Sequence, residues 1–123
     1  MAALFRGKAL LWALGFCFLA FLAIQFVRPK IENPPVTAEI DAPPEVKQVL
    51  RTSCYDCHSN ETRLRWFDQI APGYWLVAHD VHEARRHMNF SEFGKLPPAQ
   101  QKGLLYEAVN QIQRARCRCR STV

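Results

Sequence analysis

The sequence predicts an all-α protein: an N-terminal transmembrane helix followed by one small helical domain. Three observations predict it. Ala9 to Val27 is a run of 19 residues without a charge. Three later segments place apolar residues at steps of three and four, the helical repeat. No segment alternates apolar and polar residues as a half-buried strand does.

The first element is the uncharged run. A helix of that length spans about 28 Å, close to the hydrocarbon thickness of a bilayer. Gln25, near its end, is the one strongly polar member; Arg6 and Lys8 precede the run, Arg28 and Lys30 follow it, and Trp12 suits an interface. The run is apolar all round, which excludes an amphipathic core helix. Cleavage as a signal peptide is disfavoured, because cutting after Ala23 puts Phe21 at −3, and Phe16 precedes Cys17 where lipoprotein processing wants a small residue. Residues 1–28 therefore read as an uncleaved anchor in the lipid bilayer, with Cys17 as an apolar residue inside it. Two bases on each flank leave the orientation open.

The chain has 123 residues and 49% hydrophobic content, which fits one small domain beyond the anchor and excludes wholesale disorder. A formal charge of +5 raises nucleic acid as a partner. Its distribution argues against one. Arg6 and Lys8 flank the anchor, and Arg114, Arg116, Arg118 and Arg120 crowd the last ten residues without an acid. All 11 acids lie between, against ten bases, so the body is nearly neutral.

Pro29, Pro34, Pro35, Pro43 and Pro44 exclude a helix just after the anchor. Residues 29–42 read as a semi-rigid polyproline stalk that lifts the domain off the membrane. The second half reads almost as well as a loop packed on the domain.

Residues 43–113 form the domain. Pro43 and Pro44 can open a helix from near Asp41, and Val46, Leu50, Cys54 and Cys57 then follow along one face. Ser53 to His58 reads Ser-Cys-Tyr-Asp-Cys-His and contains Cys-x-x-Cys-His, the attachment pattern of c-type haem. The spacing has a reason: thiols about one turn apart reach two porphyrin vinyl groups, and the next residue, His58, offers its imidazole to the iron from the proximal side. The rivals are a thioredoxin-like redox pair, which wants a βαβ context; a disulfide; and half a zinc site completed by Cys117 and Cys119 or later histidines.

Pro72-Gly73 ends an apolar patch of Trp66, Phe67 and Ile70. Residues 74–88 then read as a helix with Tyr74, Val77, Val81, Ala84 and Met88 on one face. His79 and His82 fall on the polar side and read as surface histidines. His87 lies at the edge of the apolar stripe and Met88 on it, which makes both candidates for the distal iron ligand. Arg85 and Arg86 suit haem propionates or a solvated helix end. Phe90 and Phe93 lie in a following loop, available to cover a haem edge. Pro97 or Pro98 starts a last helix lined by Leu104, Leu105, Ala108, Val109 and Ile112.

Cys54 to Thr62 (Cys-Tyr-Asp-Cys-His-Ser-Asn-Glu-Thr), Ile70-Ala71-Pro72, Trp75-Leu76-Val77 and Arg85 to Glu92 (Arg-Arg-His-Met-Asn-Phe-Ser-Glu) resemble the bacterial haem-binding-domain family. The resemblance runs from about Gln25 to Gln113. It implies a cytochrome c-like helical domain with one covalent haem c on Cys54 and Cys57, and His58 as proximal iron ligand. It also implies a periplasmic domain on a single-pass inner-membrane anchor, with a cytoplasmic N-terminus.

Family members continue with a Met-Pro-x-Pro-type segment whose Met looks like a distal ligand. Here the tail reads Arg-Ala-Arg-Cys-Arg-Cys-Arg-Ser-Thr-Val, residues 114–123. If Arg116 is encoded with a final A and the next codons are TGC CGC TGC CGG, a start one base earlier reads Met-Pro-Leu-Pro. The expectation is a frameshifted tail, which the codons of the gene decide.

The expected function is electron transfer to an unidentified redox partner. The alternatives are a haem-based sensor with an open sixth iron site, and a thiol-redox or zinc module without haem. No paired carboxylate, serine triad or phosphate loop points to hydrolysis or phosphoryl transfer.

Overall fold

A computed structural model describes residues 2–114; the basic tail and its expected frameshift lie outside the described residues, apart from Arg114. Among the described residues the chain is all-helical, with five α-helices, two short 3-10 turns and no strand. The helices are α1 (Ala2–Ile24), α2 (Pro44–Ser53), α3 (Tyr55–His58), α4 (Gly73–His87) and α5 (Pro98–Gln113). The 3-10 turns are Trp66–Gln69, before α4, and Phe93–Lys95, before α5.

Helix α1 has 23 residues and is about 35 Å long. Its segment Gly7–Ile24 is long and apolar enough to cross a membrane and is not buried against the rest of the protein, which is compatible with a single-pass anchor. The helix tightens as it ends: the amides of Gln25, Phe26 and Val27 donate to the carbonyls of Leu22, Ala23 and Ile24, each at 3.2 Å.

Pro43 and Pro44 open α2 as expected, with Pro44 where a missing N–H costs nothing. One continuous helix through Cys57 does not form. The chain bends at Cys54 (φ −122°, ψ −32°), and α3 starts afresh at Tyr55. Thr52 supplies the reason, since its hydroxyl donates to the carbonyls of Gln48 (2.9 Å) and Val49 (3.0 Å), back-bonding that bends helices.

The proline-rich segment 29–42 does not stand clear of the domain as a spacer would. It is a strap laid along it. Thr37 and Ala38 donate to Ser91 O (3.2 and 3.0 Å), Ile40 donates to Phe90 O (2.9 Å), and Gly94 donates to Ala38 O (2.9 Å). Gly94 is small for a reason: a Cβ there would meet the Ala38 Cβ at 3.3 Å. Further along the strap, Tyr74 Oη donates to Pro29 O, and His82 Nε2 lies 3.0 Å from Lys30 O. Polyproline geometry leaves backbone groups unpaired within the segment, and the domain takes them up.

Strap and domain share one core of Ile40, Tyr55, Phe90 and Phe93, with Leu50, Cys54, Met88, Leu96 and Leu104 packed around it. The Tyr55 and Phe90 rings stack at 5.4 Å. Phe90 and Phe93 therefore fill the core. Tyr55 Oη donates to Glu39 (2.9 Å); burial pushes the Glu39 carboxyl up, but Tyr55, Lys47 and Arg51 together hold it below its ordinary range. Helix α4 buries Tyr74, Ala78 and Val81, and His79 and His82 face outward as the pattern predicts. Helix α5 buries no residue. Leu105, Val109 and Ile112 remain 40–52% exposed, an apolar face that the described protein does not cover.

Candidate functional site

The Cys-x-x-Cys-His segment sits at the bend between α2 and α3. The Cys54 carbonyl anchors its second half, accepting from the amides of Cys57 (3.2 Å) and His58 (2.9 Å). Cys54, Cys57 and His58 are all half-buried. Two clefts open on the domain, and neither is lined by Cys54, Cys57 or His58. One of about 380 Å³ is lined by Arg51, Thr52, Tyr55, Asp56, Glu61, Arg63 and Arg65. The other, of about 230 Å³, lies between the end of α4 and the start of α5 and includes Met88 and Leu104.

His58 is held on two sides. Its carbonyl accepts from Phe90 N at 2.7 Å, and its Nδ1 lies 3.0 Å from Met88 O. A carbonyl oxygen can only accept, so Nδ1 carries the proton. In the neutral imidazole this bond selects the tautomer whose Nε2 carries the lone pair, the atom that a metal-binding histidine offers. The Phe90 ring meets the imidazole edge-on at 6.2 Å.

The same bond defines the role of the Met88 backbone: its carbonyl holds Nδ1 and leaves Nε2 to other partners. The Met88 side chain packs on the Ile40–Tyr55–Phe90–Phe93 core. Met88 thus meets His58 through its backbone oxygen, while its side chain packs on the core and borders the smaller cleft. His87, one residue earlier, is exposed and borders the smaller cleft.

Arg85 is neither solvated nor turned toward an external carboxylate. It donates to Ser59 O (2.7 Å), Asn33 Oδ1 (2.9 Å), Thr62 Oγ1 (2.8 Å) and Glu32 O, tying strap, α4 and the segment after α3 together. Burial pulls its pKa below the ordinary guanidinium value, with the Cys57 thiol acting in the opposite direction. Lysine keeps the charge but lacks the planar fork that reaches four acceptors. Arg85→Lys is expected to cost about 2 kcal/mol, read as a lower urea midpoint at unchanged m-value.

Four further residues lie inside the quoted motifs, but the sequence reading gave them no role of their own. Ser91 Oγ accepts from Asn60 N (2.9 Å), Asn89 Nδ2 donates to Asn60 Oδ1 (2.8 Å), and Asn89 Oδ1 accepts from Ser91 N (3.0 Å). Ser59 Oγ donates to Tyr55 O at 2.8 Å and closes α3. Ser59, Asn60 and Ser91 are buried. This polar lock joins the segment just past His58 to the segment just past Met88, so it sets the register of the Nδ1 bond.

The residues present fit a covalently held haem. Two thiols at attachment spacing precede an imidazole whose tautomer presents Nε2, and α5 leaves an apolar face uncovered nearby, its Leu104 already packed on the shared core. Among the described residues no group of three or more His, Cys, Asp and Glu side chains is gathered as a metal site, so a zinc site would have to draw on residues outside them. A family model described as a haem-binding domain matches residues 19–117. No curated protein and no solved structure matches the chain.

Proposed function

Because the chain belongs to the haem-binding-domain family, we propose that it is a membrane-anchored, periplasm-facing monohaem c-type cytochrome that transfers electrons. The observation that carries this reading is the 3.0 Å bond between His58 Nδ1 and Met88 O, directly after two cysteines at Cys-x-x-Cys spacing. Cys54 and Cys57 would hold the haem through thioether links to its vinyl groups, His58 would offer Nε2 to its iron, and Met88 O would orient the imidazole through Nδ1. When bound, haem supplies a one-electron ferrous–ferric couple. Helix α1 tethers the domain to the bacterial inner membrane beside a redox partner.

The packing of the Met88 side chain on the core favours one second reading, a haem-based module whose sixth iron site admits a small ligand. The reduced absorption spectrum, with and without carbon monoxide, separates the two. The electron-transfer reading expects covalent haem and a spectrum that carbon monoxide leaves unchanged. An immediate shift of the Soret band favours the ligand-binding module. A chain made in a cell competent for haem c maturation, yet carrying no covalent haem, overturns both and leaves the thiol-redox alternative.

A further inference from the structure

We infer that the 3-10 turn Trp66–Gln69 and the adjoining Ile70 rest in the lipid headgroup region, so that the domain lies on the bilayer that α1 crosses. This rests on the reading of α1 as a membrane anchor.

Three sets of contacts fix the depth of that turn. Gln25, directly after α1, pairs with both backbone groups of Ala71, donating to its carbonyl at 3.1 Å and accepting from its amide at 2.9 Å. Trp75 Nε1 donates to Val27 O at 2.6 Å. Arg28 donates to Gln69 O at 3.1 Å and lies over the Tyr74 ring at 4.6 Å. The turn and the start of α4 are therefore held at the level where the apolar helix stops.

What the protein exposes at that level suits an interface. Phe26 is 88% exposed, Val27 61%, Trp66 74%, and Phe67 and Ile70 42% each. A soluble surface rarely gathers so much aromatic and branched apolar area, whereas membrane interfaces favour tryptophan and aromatic rings. The acid within the turn, Asp68, is buried and accepts from Arg65 N at 3.3 Å. The nearby side chains that do face outward include Arg28, Arg63 and Arg65, whose stems can lie along the apolar surface while their heads meet lipid phosphates. Arg65 sits over the Phe67 ring at 5.9 Å. An aromatic turn rimmed by arginines, continuous with a membrane-crossing helix, has the bilayer surface as its occupant.

The test uses the full chain in vesicles of phosphatidylcholine and phosphatidylglycerol with brominated acyl chains, compared with the same vesicles unbrominated. In a W12F/W75F variant, Trp66 is the sole tryptophan. Its emission is expected to shift to shorter wavelength on reconstitution, to drop in brominated lipid and to resist aqueous iodide. Trp66 emission that ignores bromine and is quenched by iodide overturns the inference. A W66F/W75F variant reports the anchor separately, since Trp12 must be quenched by bromine if α1 crosses the membrane. Quenching at Trp12 without quenching at Trp66 sinks the surface docking alone, and quenching at neither sinks the anchor as well. Should W75F unfold, the difference between W12F and W12F/W66F isolates the Trp66 signal in a background that keeps the Val27 bond.

Discussion

Replacing Cys54 and Cys57 together by alanine is expected to leave no haem on the denatured chain. This is the largest functional effect the site predicts, because the two thioethers are the bonds that survive denaturation. His58 alone would hold haem through a coordinate bond that unfolding releases. The single variants Cys54→Ala and Cys57→Ala separate the two links. Each is expected to lower the amount of attached haem, and the product should carry one unreacted vinyl group. That group extends the conjugation of the ring, so the pyridine haemochrome band of a single variant moves to longer wavelength than that of the parent. A peroxidase-stained denaturing gel and the haemochrome spectrum measure both effects. A double variant that stained as strongly as the parent would remove the basis of the proposed function.

The second large effect is on folding. Phe90 is 2% exposed, stacks on Tyr55 at 5.4 Å and meets His58 edge-on at 6.2 Å. Phe90→Ala is expected to cost about 3–5 kcal/mol, the range for deleting a buried phenylalanine and leaving a cavity. Its backbone bonds to Ile40 and His58 need no side chain, so the loss measures packing. Phe90→Leu fills most of the space and is expected to lose less. Urea denaturation of the chain in detergent measures both. A loss under about 1 kcal/mol in Phe90→Ala would mean that this ring is not central to the core.

The helices were legible because each carries its own signal. Pro43-Pro44, Pro72-Gly73 and Pro97-Pro98 mark the starts of α2, α4 and α5, and the all-round apolar run marks α1. The Cys-x-x-Cys-His segment was legible as a candidate site from six consecutive residues. What the sequence hid is tertiary. Arg85 reaches the strap 53 positions away at Glu32, and Asn60 and Ser91 meet across 31 positions. Apolar periodicity reports which face of a helix turns inward; it carries nothing about which carbonyl a distant side chain finds. The break at Cys54 was hidden for a local reason: the apolar spacing runs straight through it, while the Thr52 hydroxyl that bends the helix belongs to the polar face. Met88 stood out by its sulfur on the apolar stripe, which carried no sign of the backbone oxygen that reaches His58.

The strap has a consequence for the order of events during synthesis. It leaves the ribosome before the Cys-x-x-Cys-His segment, but the groups that clamp it, Phe90, Ser91 and Gly94, come well after. The Cys54–His58 stretch is therefore born between the two halves of a clasp that is still open. Until the second half emerges, His58 has no Phe90 amide and no Met88 carbonyl to hold it, and the loop to be closed spans about fifty residues, an entropic delay that local helices do not share. The geometry of the Cys54–His58 stretch is thus completed only when the clasp shuts, by residues that the chain delivers last.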